Sequence, residues 1–258
     1  MMGIKTKKKF GQHFLKNEAI LEKIMYSHSD RKNVLEIGPG RGALTKYLLP
    51  NVKNLLLVEV DNECVKYLND NYKGLNLLSG DILKINLEKL FENNFSIISN
   101  LPYNISSQVF FKILDNKDKI TEFTFLIQKE VAQRICSGYG NKTYGILSVL
   151  IQTFYETEYI FDVAPNEFEP PPKVDSALIR GVRNSTKDIG VPFVYFKNVV
   201  KQAFQNRRKT LRNSLKHLNL PISIKSHEIF SKRAEQLDIN DFIWLVNGIK
   251  RNKLCNFH

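Results

Sequence analysis

Two rhythms of apolar and polar residues alternate along the first two thirds of this chain. Short runs of branched apolar residues, the first three closed by glycine or an acid, are followed by stretches in which apolar residues recur every three or four positions. The first rhythm predicts buried strands and the second amphipathic helices. Val34-Leu-Glu-Ile37, Leu55-Leu-Leu-Val58, Leu75-Asn-Leu-Leu78, Phe95-Ser-Ile-Ile98 and Phe123-Thr-Phe-Leu126 read as strands, with helices over 18–26, 62–68, 107–114, 128–135 and 146–153. Alternation of this kind predicts an α/β fold on a parallel sheet. A Pro-rich segment, Pro170-Pro-Pro172, cannot lie inside a helix or central strand and is expected to cross the surface between two closing strands. Beyond it the strand rhythm stops. Phe196, Val199, Val200 and Ala203 share helical spacing, and Phe230, Ala234, Leu237, Phe242 and Leu245 mark further short helices. The expected organisation is an α/β domain over 1–183 and a small all-helical domain over 184–258.

The strand ends carry the candidate chemistry, because ligands of open α/β sheets bind beyond the carboxyl ends of the strands. The first strand, which carries Glu36, runs into Gly38-Pro-Gly-Arg-Gly42, and these glycines, Gly38 and Gly40 above all, permit a tight turn and close backbone approach to a ligand. The spacing is not the G-x-G-x-x-G of dinucleotide sites, and the Gly-Lys-Ser/Thr of a phosphate loop is missing. Glu36 would repel a pyrophosphate but can accept a hydrogen bond, directly or through water, from an amino-acid ammonium. That favours S-adenosylmethionine over NAD. The second strand ends in Glu59, about 20 residues past the glycines, where nucleotide folds place a carboxylate for ribose hydroxyls; Asp61 is expected to cap the next helix. The third ends in Gly80-Asp81, suited to an adenine exocyclic amine or to an ordinary turn, with Ile82 assigned to the same donor site.

The fourth strand runs into Ser99-Asn-Leu-Pro-Tyr-Asn-Ile-Ser106. Asn100 offers an amide carbonyl, Pro102 stiffens the turn, and Tyr103 offers a flat face with a polar tip, a set that suits a planar amino-bearing ring such as adenine. The side-chain carbonyl of Asn100 and the backbone carbonyl of Leu101 are expected to accept from that amine while Tyr103 stacks on the base. Phe168, beside the Pro-rich turn, is a second candidate wall for a base pocket. Upstream, Gln12 and His13 can meet a ligand's polar edge, or the segment with Phe10 and Phe14 can simply pack as a helix.

Composition changes the picture in one respect. Lys and Arg number 38 against 26 Asp and Glu, a formal charge of +12, which favours a polyanionic partner, nucleic acid before a membrane surface. The basic runs are Lys7, Lys8 and Lys9 near the start, where a solvated tail is the reading the run alone favours and phosphate contact the alternative, and Arg207, Arg208, Lys209 and Arg212 in the helical part, where RNA phosphate contact is favoured over a solvated face. Tyr139, Lys142 and Tyr144, in a Gly- and Tyr-rich stretch expected to be a mobile surface loop, serve either RNA or a plain linker. Cys64, Cys136 and Cys255 are scattered, without zinc spacing or a disulfide pattern, which fits a reducing compartment. No apolar run reaches membrane-spanning length and the Lys-rich start is no signal peptide. No metal and no membrane partner are expected, and the protein is expected to be cytoplasmic.

Taken together, Phe10-Gly-Gln-His-Phe-Leu15, Glu36-Ile-Gly-Pro-Gly-Arg-Gly42, Glu59, Gly80-Asp81, Asn100-Leu-Pro-Tyr-Asn-Ile-Ser106, Gln128-Lys-Glu-Val-Ala132, Pro170-Pro-Pro-Lys-Val-Asp-Ser176, Arg207-Arg-Lys-Thr-Leu211 and Arg233-Ala-Glu-Gln-Leu237 resemble the ribosomal RNA adenine dimethyltransferases, in their small-subunit branch. The resemblance implies a Rossmann-like methyltransferase domain with a helical appendage, and S-adenosylmethionine contacts at His13, Leu15, Gly38, Glu59, Asp81 and Asn100. His13 stands where other members often carry Asn. The implied substrate is a pair of adjacent adenosines in a hairpin near the 3′ end of small-subunit rRNA, with two methyls added to each N6; the expected partner is that rRNA or an immature small subunit, and the protein is expected to be a monomer. The alternatives are a relative that dimethylates large-subunit rRNA and a non-catalytic assembly factor that kept the fold.

Overall fold

The computed structural model describes residues 11–218 and 220–255, so Lys7, Lys8, Lys9 and Phe10 lie outside the described residues. The strands are β1 (Phe14–Leu15), β2 (Asn33–Ile37), β3 (Asn54–Glu59), β4 (Asn76–Ser79), β5 (Phe95–Asn100), β6 (Ile120–Gln128), β7 (Tyr155–Val163), β8 (Phe168–Glu169) and β9 (Ser176–Arg183). The α-helices are α1 (Glu18–Ser27), α2 (Thr45–Leu48), α3 (Asn62–Asn71), α4 (Ser106–Asp115), α5 (Lys129–Cys136), α6 (Ile146–Gln152), α7 (Phe193–Gln205), α8 (Leu211–Ser214), α9 (Ile222–Lys225) and α10 (Ile239–Cys255).

Seven strands form one sheet in the order β4-β3-β2-β5-β6-β9-β7. The pairs from β4 through to β6 are parallel, and β9 runs antiparallel to β6. Strand order reverses at β2, which pairs with β3 on one side and β5 on the other. The crevice beyond the carboxyl ends of β2 and β5 is therefore the topological switch point where such sheets take ligands. This is the Rossmann-like α/β architecture the sequence leads one to expect.

The sheet is covered on both faces, which explains the nearly unbroken apolar strands. On one face Leu126 of β6 and Ile98 of β5 join Leu21, Ile24 and Met25 of α1 and Leu48 of α2 in the core. On the other, Phe123 and Phe125 lie 5.5 Å from the ring of Phe110 in α4, edge to face. Each such ring, fully buried, contributes about 1.5–3 kcal/mol. Asn17 and Asp61 cap α1 and α3 by accepting from the backbone N–H groups of Ile20 and Glu63, so Asp61 takes the capping role the sequence predicts.

Two local expectations change. Phe14 lies in a strand, not a helix, because β1 pairs antiparallel with β8, Leu15 opposite Phe168. That pairing buries Phe168 to 1% exposure, packed in the core with Leu15 and Leu21. The compact units also differ from a single cut at 183/184. The described residues up to Ala132, with Glu156–Arg183, form one unit; Gln133–Tyr155 pack with the described residues from Asn184 onward to form the other.

The second unit is helical, with Phe196, Val199, Val200 and Ala203 of α7, Leu211, Leu215, Leu237 and Phe242 all buried. The stretch between α5 and α6 is fastened within it. Arg207 donates to the carbonyls of Lys142 and Tyr144 and pairs with Glu235, while Gly140 N–H donates to the carbonyl of Glu235. Tyr144 is 1% exposed and stands beside Phe204, so it is a core residue; Tyr139 and Lys142 are exposed.

Candidate functional site

A cavity of about 220 Å³ opens at the switch point, entirely within the first unit. Four strand ends and the segment before α1 wall it, and Gln12, His13, Leu15, Glu36, Gly38, Gly40, Glu59, Asp81, Ile82, Asn100, Leu101, Pro102 and Tyr103 all line it. Residues dispersed over more than ninety positions thus converge as their strand-end placement predicts. Phe168 does not line it.

The glycine turn follows β2. Gly38, Gly40 and Gly42 all adopt positive φ, at 63°, 58° and 78°. At Gly40 the requirement is double: a Cβ would lie 2.7 Å from the Phe14 ring. The freed backbone is used, since Gly40 N–H donates 3.0 Å to Oε2 of Glu59. Glu59 also receives the N–H groups of Val60 and Asp61 on Oε1, at 2.9 and 2.8 Å. A carboxylate offers about four acceptor positions, so this fixed group keeps capacity for a ligand hydroxyl. Burial pushes its carboxyl up, against the pull of those three N–H groups.

Glu36 is 2% exposed and accepts from Thr45 Oγ1 at 2.7 Å. Burial, with the nearby charge of Glu59, pushes its pKa up to about 8, although the Thr45 hydrogen bond pulls the other way. Asp81 receives Leu83 N–H at 2.9 Å through Oδ1, a turn of the kind its sequence suggests, and still faces the cavity. Gln12 lines the cavity and spends its amide N–H on Asp61, at 2.8 Å.

Asn100 ends β5. Its Nδ2 donates 3.0 Å to the backbone carbonyl of His13. A carbonyl only accepts, so the nitrogen end of the amide must face His13 and the oxygen end turns the other way. Tyr103 is held at its tip by Ser176, with 2.5 Å between the oxygens, and its ring stacks at 26° on the His13 ring, centroids 5.6 Å apart. Burial raises its pKa above the usual tyrosine value, so the phenol is neutral at physiological pH.

The Thr45–Glu36 bond, the Gly40–Glu59 bond and the Ser176–Tyr103 bond carry no signal in sequence spacing. The basic run divides. Arg207 is committed to Glu235 and two carbonyls, whereas Arg208 and Lys209 are exposed, and Arg212, also exposed, donates to the carbonyl of Lys225. Among the described residues no cluster of His, Cys, Asp and Glu has the geometry to hold a metal ion, and no helix is long and apolar enough to cross a membrane.

Comparison with known proteins adds three findings. The family profile described as Ribosomal RNA adenine dimethylase matches residues 3–246. A Flavobacterium johnsoniae protein named Ribosomal RNA small subunit methyltransferase A is 50% identical over 255 residues, covering 97% of this chain and 98% of its own length. Among solved structures, a dimethyladenosine transferase from Plasmodium falciparum superposes with a TM-score of 0.79 at 28% identity, over 93% of this chain and 98% of that one. The 23S rRNA methyltransferase ErmE reaches 0.70 at 23% identity, over 91% of this chain and 99% of its own, a likeness of fold.

Proposed function

The chain belongs to the ribosomal RNA adenine dimethylase family, and from that premise we propose that it transfers methyl groups from S-adenosylmethionine to the N6 amines of two adjacent adenosines near the 3′ end of small-subunit rRNA, two to each. The observation that carries this reading is the orientation of Asn100, whose amide oxygen is left for an amino-bearing substrate at a cavity lined by three carboxylates.

The residues fit the donor by their chemistry. Glu36 suits an ammonium, Glu59 the ribose hydroxyls and Asp81 an exocyclic amine, while Leu15 and Ile82 supply apolar walls and Gly38 and Gly40 allow close backbone approach. Gln12 and His13 complete the site on the side of β1. When bound, S-adenosylmethionine supplies a methyl group already activated on a sulfonium.

The chain's own task is to prepare the nucleophile. Adenine N6 is a poor one, because its lone pair is delocalised into the ring. The Asn100 side-chain oxygen and the Leu101 backbone carbonyl accept its two hydrogens, which favours a pyramidal nitrogen and fixes the direction of its lone pair. Positioning of this sort accounts for a large share of many barrier reductions. Pro102 stiffens the loop, and Tyr103 stacks on the extruded base. Once methylated, the nitrogen is strongly acidic and loses its proton to water, so no general base is required.

Arg208, Lys209 and Arg212 meet rRNA phosphates, joined by Lys7, Lys8 and Lys9. Arg207 is not carried into this role, since its guanidinium is spent on the second unit's own loop. The substrate is the immature small subunit, met in the cytoplasm by a monomer. Replacing Asn100 tests the central assignment. Asn100→Ala is expected to lower kcat by ~100-fold or more while donor affinity changes by less than about 3-fold, the loss of one weak neutral contact. Equal losses in both would remove Asn100 from the chemical step.

A further inference from the structure

Ser176 opens β9 directly after the Pro-rich turn and is completely buried. Its hydroxyl is the hydrogen-bond partner of the Tyr103 phenol, 73 residues away in sequence. Strand β9 cannot shift it easily, because Ser176 is paired in register with Gln128 of β6 and Lys129 N–H donates to the carbonyl of Asp175 beside it. His13 meets the face of the same Tyr103 ring, and its own ring is anchored by Nδ1–H donating 2.8 Å to the carbonyl of Pro170. The plane of Tyr103 is therefore set at its tip and on one face by groups tied to residues 170–176.

We infer that Ser176 is a positioning residue that acts through Tyr103 and matters most for the second methyl transfer to each adenosine. The inference rests on the proposed role of Tyr103 as the stacking partner of the base. An unmethylated N6 amine has two N–H groups, one for the Asn100 oxygen and one for the Leu101 carbonyl. After the first transfer it has one. The singly methylated base has lost one of the two hydrogen bonds that orient it, so the aromatic wall carries a larger share of its placement. A wall free to rotate about χ1 and χ2 holds that intermediate less well and releases it half-finished.

The test is the ratio of N6-monomethyl- to N6,N6-dimethyladenosine formed on undermethylated small subunits, measured for Ser176→Ala, Tyr103→Phe and the double variant. Both single changes delete the same bond, one from a buried strand and one from the partly exposed ring, so a folding defect in one does not stall the test. Each is expected to raise the ratio about 3–10-fold, the factor that a hydrogen bond of ordinary net strength carries. The double variant is expected to match the singles, because the bond can be lost only once. Donor affinity and melting temperature report the fold separately. Singles that keep the parent ratio, or effects that multiply in the double variant, overturn the inference. Tyr103→Ala separates this from the stacking role itself. Parent-level methylation by Tyr103→Ala removes the stacking role and the inference with it, whereas strong loss there with no change in ratio for the other variants removes only the role of Ser176.

Discussion

The Nδ2 of Asn100 lies 3.0 Å from the carbonyl oxygen of His13, a residue 87 positions earlier in the chain. The segment ahead of α1 thereby dictates which end of the Asn100 amide faces His13 and which end is turned away from it. A carboxylate at position 100 has no hydrogen to give to that carbonyl and would set two acceptors against each other. Asn100→Asp is expected to lose methyl transfer by ~100-fold or more and to cost about 1–3 kcal/mol of stability through the unpaired carbonyl. Turnover and thermal melting read the two effects; an active, fully stable variant would show that the bond does not orient the amide.

Gly40 carries both a positive φ of 58° and a neighbouring ring at 2.7 Å from where a Cβ would sit. Gly40→Ala must either shift the Phe14 ring, which also carries the Arg41 guanidinium 4.6 Å from its centroid, or distort the turn. The expected cost is about 1–3 kcal/mol, with donor affinity reduced because the Gly40 N–H that fixes Glu59 moves. Calorimetric titration with S-adenosylmethionine checks it. Unchanged affinity would mean that the turn is not part of the donor site.

Glu36 gives a pH signature. Its pKa of about 8 in the folded chain, against an ordinary 4.5, means that the folded state holds a proton the unfolded state has released. Stability therefore falls as pH rises from roughly 4.5 towards 8 and the contribution levels off above that. A cationic donor favours the ionised form, so donor affinity should tighten over the upper part of the same interval. Glu36→Gln, which mimics the protonated acid, should flatten both trends in melting and titration series from pH 5 to 9. Trends that persist in the variant would assign them to another group.

The basic run should split by function. Arg207→Ala is expected to lower the melting temperature, because two carbonyls and Glu235 lose their partner. Arg208→Ala is expected to leave it unchanged and instead to weaken rRNA binding, reducing the salt dependence by about one unit in log–log slope. The opposite pattern would exchange their roles.

How much of this was legible beforehand follows from what each residue depends on. Glu36, Glu59, Asp81 and Asn100 stood out because each ends an apolar strand run, and parallel pairing sends all such ends to one edge. The helix start at Asp61 was local too, since a cap involves only residues two or three positions away. What stayed hidden depends on distant pairing. Phe168, beside the prolines, reads as a candidate wall of a base pocket, and only its register with Leu15 shows how deeply it is buried. Arg207 looks like one cation among four until Gln133–Tyr155 are found to pack with the helical unit. His28 gave no signal at all, yet it is completely buried between Thr124 and Ser96, at 2.9 and 2.8 Å, where burial lowers its pKa to about 4.

The most direct measurement is methyl transfer from labelled S-adenosylmethionine to undermethylated small ribosomal subunits, with large subunits and naked large-subunit rRNA in parallel, followed by nucleoside analysis. N6,N6-dimethyladenosine confined to the small-subunit rRNA is the predicted result. Label in large-subunit RNA, or donor binding with no label in any RNA, would contradict it.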